Sequence, residues 1–188
     1  MFTALRKLKK RSEAQKETEL ENTVAHAIFD IEVNNKDLKY ALQPISFVSA
    51  REIKISKTRS AIIIFVPRRE LQQYQEIHTK LVRELEKKFS GKHILIVAQR
   101  RALQKRTSSL IHRPRARTLK VVNENIMKDI CYPAEISGLR TRVKTDGSEH
   151  LKIFLDPSEK VNLEGKLSTF SVAYRKLTGK TSSFQFAE

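Results

Sequence analysis

Cysteine is almost absent from this chain: the only one is Cys131. No internal disulfide can form, which fits a reducing compartment. Cys131 lies beside Ile130 and Tyr132, the setting of a buried structural thiol. Glycine and proline are also scarce, at five each, which argues against low-complexity disorder over most of the length. No run approaches the ~20 apolar residues needed to span a bilayer, so no membrane partner is predicted. The first residues are basic but lack the apolar stretch of a secretory signal. The five histidines are dispersed, and no Cys/His cluster has zinc-ligand spacing. A glycine-rich phosphate loop, a GxSxG turn and a kinase-type motif set are all missing. The sequence therefore predicts neither an enzyme nor a cofactor.

The most informative absence is of acids. From Lys87 to Asn123 there is no Asp or Glu, yet eleven Lys or Arg. Residues 1–11 are also free of acids and carry five more bases, Arg6, Lys7, Lys9, Lys10 and Arg11. Together these two segments hold the whole formal net charge of +16; elsewhere 21 bases balance 21 acids. Excess positive charge localised in this way points to a polyanionic partner, and nucleic acid suits it better than a membrane.

The rest of the chain supplies a globular body. The sequence predicts one domain over 12–188, with a mobile basic arm at 1–11 and a basic loop at 99–117. Leu20, Val24, Ala27, Ile28 and Ile31 form one apolar stripe, predicting a helix over about 13–32 with Ser12 as its cap. Residues 38–45 carry no clear signal. Phe47–Ile55 alternates like a strand, and Ala61–Val66 is apolar throughout, like a strand buried on both faces. Arg68–Phe89 has helical spacing and ends near Gly91. Ile94–Ala98 is a second wholly apolar strand, which completes a parallel βαβ unit.

Thr118 is placed to cap a helix over about 119–130, with Leu119, Val122, Ile126 and Ile130 as its stripe. Asp146-Gly147 predicts a tight two-residue turn in a hairpin over Gly138–Asp156. Arg140, Arg142 and Lys144 share one face of that hairpin, while Leu151, Ile153 and Leu155 share the other. Leu163, Leu167, Phe170, Tyr174 and Leu177 predict a helix ending at Gly179. Phe184 and Phe186 suggest a short last strand. No internal repeat is evident. The expected class is α+β: a mixed sheet containing one parallel βαβ unit and a C-terminal hairpin, packed by amphipathic helices, with a basic extended loop.

The candidate RNA-binding residues are Arg100, Arg101, Lys105, Arg106, Arg113, Arg115, Arg117 and Lys120 in and after the loop, with Lys7, Lys9, Lys10 and Arg11 in the arm. Guanidinium groups fork onto phosphate oxygens, and lysine adds point charge. If Arg113–Arg117 is extended, its three arginines lie along one face at about 6–7 Å intervals. The loop has no aromatic residue, so phosphate- and shape-led binding of folded RNA fits it better than base stacking.

Several stretches resemble the eukaryotic small-subunit ribosomal protein family numbered seven, the e-type, which is unrelated to the bacterial protein of that number. They are Leu81–His93 leading into Ala98-Gln99-Arg100-Arg101, Arg113–Leu119, Tyr132–Ile136 through Arg140–Val143, and Tyr174–Lys180. Phe65-Val66-Pro67 fits as well. The resemblance implies a structural constituent of the cytosolic small subunit. Its partners would be small-subunit rRNA, neighbouring ribosomal proteins and assembly factors, with nucleolar passage during assembly and a part in rRNA maturation. The loop after Arg101 is shorter than the family's usual one, and Ser108–His112 replaces part of a more basic run. The alternative is an RNA-modifying enzyme or an assembly factor that does not stay in the mature subunit.

Overall fold

Residues 4–9, 18–56, 59–104 and 113–187 are described by a computed structural model. The chain divides into two compact units, Met1–Gln99 and Arg100–Glu188. The composition does not change at that point.

The first unit contains a short 3-10 turn (Ala4–Lys7), α1 (Glu19–Asn34), α2 (Lys36–Leu42), β1 (Ser49–Lys54), β2 (Ser60–Pro67), α3 (Leu71–Lys88) and β3 (His93–Gln99). Ser12 lies outside the described residues. The N-cap of α1 is Thr18, whose hydroxyl accepts from the Glu21 N–H while the Glu21 carboxylate accepts from the Thr18 N–H. This reciprocal capping box satisfies donors that the first helical turn leaves free. Asn35 ends α1 and begins α2, the helix that the sequence did not signal. With seven residues and only Leu38 and Leu42 buried, α2 is too short to show a period.

The expected βαβ unit is present. β2 and β3 pair in parallel from Ala61↔His93 to Pro67↔Gln99, with α3 between them, and β1 pairs antiparallel to β2. α3 presents Tyr74, Leu81, Val82 and Leu85 to a core that includes Ile62, Ile64, Ile94 and Ile96. Burying one such leucine or isoleucine contributes about 2 kcal/mol. On the opposite face of the sheet Ala61, Ile63, Leu95 and Val97 are buried too. The arm expected over 1–11 is, in its described part, docked. Leu8 bridges to Phe47, and the backbone of Lys7 and Lys9 hydrogen-bonds to Phe47.

The second unit contains a 3-10 turn (Arg115–Arg117), α4 (Leu119–Cys131), β4 (Ile136–Val143), β5 (Glu149–Leu155), α5 (Lys160–Leu163), α6 (Leu167–Thr178) and β6 (Thr181–Phe186). β4 and β5 form the expected hairpin, and β6 adds in parallel to β5. The βαβ unit and the hairpin thus lie in separate mixed sheets of three strands. Three local expectations need correction. The hairpin turn is not a two-residue one: the Gly147 N–H bonds to the Lys144 carbonyl, and the Lys144 N–H bonds to the Ser148 carbonyl. Gly147 takes φ +76°, which glycine adopts without penalty. The helix over 163–177 is interrupted at Glu164–Lys166, a 3-10 turn centred on Gly165. Leu119 is exposed rather than part of the α4 stripe.

Both units run helix, strand, strand, helix, strand. In each, the first two strands pair antiparallel and the last two pair in parallel. The repeat that the sequence did not show is present in the topology.

Candidate nucleic-acid interface

The segment after β3 is where the bases gather. Its first arginine turns inward. Arg100 makes a two-point ion pair with Asp129 of α4; one of its two contacts is Nη2 to Oδ1 at 3.1 Å, and both side chains are largely buried. A fork-to-fork pair of this kind fixes geometry as well as charge. Arg101 is exposed.

The two ends of the loop are tied together. The Leu103 N–H donates to the Arg117 carbonyl at 2.9 Å, and the Arg113 guanidinium donates to the Leu103 carbonyl at 2.9 Å. Arg115–Arg117 winds as a 3-10 turn, with the Arg117 N–H on the Pro114 carbonyl at 3.0 Å. The extended arrangement of Arg113, Arg115 and Arg117 is therefore not formed. Arg113 is half-buried and closes the stem, while Arg115 and Arg117 are exposed. Thr118 sits at the cap position of α4, but its hydroxyl donates back to the Arg115 carbonyl at 2.8 Å and does not cap the helix. Lys120, in the first turn of α4, is exposed. Lys105 and Arg106 lie outside the described residues.

In the N-terminal segment Lys7 is buried. Its ammonium reaches the Glu32 carboxylate and the Leu42 carbonyl, each at 2.6 Å. Lys9 is exposed, with a loose contact to Glu70 at 3.8 Å. Lys10 and Arg11 lie outside the described residues. Of the candidates, then, Arg101, Arg115, Arg117, Lys120 and Lys9 face solvent, and Lys7 and Arg100 are enclosed. Sequence reasoning had no local signal for the enclosure, because Glu32 and Asp129 are distant in the chain.

Nothing else among the described residues gathers as a reactive centre. No group of His, Cys, Asp and Glu there could hold a metal, and no helix there is long and apolar enough to cross a membrane. The displaced titrations are three interior ones and one at the surface, where the hydrogen bond from Lys92 holds the exposed Glu52 carboxyl below its ordinary value. Burial pushes the Cys131 thiol up to about 12 and raises the Tyr74 and Tyr174 phenols.

The family described as ribosomal protein S7e matches residues 7–186. Small ribosomal subunit protein eS7 of Avicennia marina is 46% identical over 187 residues, covering 99% of this chain and 98% of its own. The Schizosaccharomyces pombe protein of that name is 43% identical over 188 residues, covering 98% and 96%. That of Anopheles gambiae is 43% identical over 173 residues, covering 89% of each. A match this long places the chain in the ribosomal protein S7e family, a family of structural ribosomal proteins and not of enzymes.

Proposed function

We propose that this chain is a structural constituent of the small ribosomal subunit and binds folded rRNA through the basic loop 99–117, the bases around the loop's stem and the basic N-terminal segment. The observation that carries this reading is the tied stem, which presents Arg101, Arg115, Arg117 and Lys120 to solvent. Guanidinium groups held on a short turn meet phosphate oxygens at small cost in conformational freedom. The near-complete likeness to proteins named for the small subunit supports the same reading. The chain then works in the cytoplasm on the ribosome, beside neighbouring ribosomal proteins. It enters the subunit in the nucleolus, with assembly factors, and takes part in rRNA maturation.

Phosphate contacts release counterions, so each one steepens the salt dependence of binding by about 0.7–0.9 units. Replacing Arg115, Arg117 and Lys120 together by alanine should flatten the log–log salt slope for folded small-subunit rRNA by about two to three units, with the fold intact. An unchanged slope would overturn the assignment of these residues. Retention on small subunits through a high-salt wash is expected of a structural constituent. Loss in the wash would favour an assembly factor instead.

A further inference from the structure

The two units share one topology, but their sheets differ in what they leave open. In the first sheet β2 and β3 are buried on both faces, whereas the second sheet hides only the face of Leu151, Ile153, Leu155 and Phe184. On the other face, register sets Arg142 across from His150, Arg140 across from Lys152, and Gly138 across from Phe154. From β6, Thr181, Ser183 and Gln185 continue these three rows. His150 Nε2 lies 3.1 Å from Ser183 Oγ, which confirms that they share a face. No Asp or Glu occurs in these rows.

One detail marks this surface as more than a solvated charge run. Phe154 is only half-buried, and the Arg140 guanidinium lies over its ring, 5.1 Å from the centroid. The residue across from Phe154 is Gly138, which has no side chain to cover the part of the ring that Arg140 leaves open. A shallow cleft of about 610 Å³ opens at this end of the sheet, lined by Gly138, Arg140, Phe154 and Gln185 of the open face and by Leu139 and Phe186 from the other. That volume lies within the range of sites that hold small rings. Gln185 is exposed at its edge and can both donate to and accept from a base.

We infer that the open face of β4–β5–β6 binds single-stranded RNA, with one unpaired base stacked on Phe154 and adjacent phosphates held by Arg140, Arg142 and Lys152. The inference rests on the RNA-binding reading above and adds a second surface of different chemistry. Arg140 and Arg142 project from one strand about 6–7 Å apart, a spacing suited to neighbouring phosphates of an extended strand. A duplex has no free base face to offer the ring, whereas a loop or bulge does. An aromatic platform set among cations is the general means of holding single strands. The loop 99–117 lacks an aromatic residue, so the two surfaces divide the work: the loop takes folded RNA and the sheet takes an unpaired stretch.

The test uses the full chain with two probes, an unstructured RNA oligonucleotide and an RNA duplex of equal length. Phe154→Leu should lower single-strand affinity about tenfold and leave duplex affinity unchanged. Arg140→Ala with Arg142→Ala should flatten the single-strand salt slope by about one to two units. That pair remains informative should Phe154→Leu perturb the fold. A photoreactive residue replacing Gln185 in assembled small subunits should crosslink to RNA. Wild-type single-strand affinity in Phe154→Leu, equal loss on both probes, or a crosslink to protein would overturn the inference. If duplex binding persists and depends on Arg115 and Arg117 while Phe154→Leu changes nothing, this inference alone falls. If the unaltered chain binds neither probe, the RNA-binding reading falls with it.

Discussion

Arg100, the first residue after β3, holds Asp129 of α4 through both arms of its guanidinium, so the segment's leading charge is enclosed. The pair is enclosed on both sides, since the side chain of Arg100 is 12% exposed and that of Asp129 is 4% exposed. Removing one partner of such a pair strands the other charge and costs about 3–5 kcal/mol. Asp129→Ala and Arg100→Ala should each lower stability to urea by roughly that amount. At concentrations where Arg100→Ala remains folded, its salt slope for RNA should match the unaltered chain. Arg101→Ala should do the reverse, flattening the slope by nearly one unit with little effect on stability. A flatter slope in Arg100→Ala would place its charge on RNA after all.

Lys7 and Lys9 make the same contrast in the N-terminal segment. The Lys7 ammonium bridges Glu32 and the Leu42 carbonyl inside the first unit, while Lys9 stands in solvent. Lys7→Met leaves a half-buried carboxylate and a carbonyl without their donor, which costs about 3 kcal/mol. Lys9→Ala should change stability by less than about 0.5 kcal/mol, as exposed charges generally do. RNA affinity should respond in the opposite order. Urea unfolding and a binding titration on both variants check this, and equal effects on both would show that burial does not separate the two roles.

These cases mark where the sequence stopped being legible. The βαβ unit could be read because Ala61–Val66 and Ile94–Ala98 are apolar at every position and α3 has an unbroken stripe. The basic loop could be read from charge alone. Which of its bases face solvent could not, because Asp129 is brought to Arg100 only by the tertiary fold. The capping box was available as Thr18-x-x-Glu21 but was masked by an earlier candidate, Ser12. The last strand was legible from Phe184 and Phe186, but its start at Thr181 and its parallel pairing with β5 were not, because Thr181-Ser182-Ser183 carries no apolar period. The internal repeat left one trace: Lys88-Phe89-Ser90-Gly91-Lys92-His93 and Lys176-Leu177-Thr178-Gly179-Lys180-Thr181 each span the junction from the end of the crossover helix to the first residue of the last strand.

Cys131 offers a pH prediction of definite sign. It is fully buried, and burial alone pushes its thiol up from an ordinary 9.0 to about 12. Well below pH 9 the thiol is neutral in both folded and unfolded chains and adds no pH dependence. Above it the unfolded chain ionises first, so its contribution to stability falls as pH rises towards about 12. Cys131→Ala should therefore remove part of the alkaline loss of stability, although the cavity it leaves lowers stability at every pH. In the unaltered chain the thiol should resist alkylation at pH 8 until denaturant is added. Rapid labelling of the folded chain would contradict its enclosure.

The repeated glycine makes the last prediction. Gly91 and Gly179 follow the two crossover helices and take φ +75° and +76°, the left-handed region. At both, a Cβ would meet nothing within 4 Å, so backbone conformation is the sole obstacle to a side chain. The Gly179 N–H caps its helix on the Arg175 carbonyl at 2.8 Å, and the Gly91 N–H does so on the Glu86 carbonyl at 3.1 Å. Alanine at either site should cost about 1–2 kcal/mol through the left-handed penalty. Asparagine, which tolerates that region better, should cost less than alanine at both sites. Urea unfolding of the four single variants measures this. Equal costs for alanine and asparagine would mean that the loss comes from lost packing space, contrary to the open surroundings of both residues.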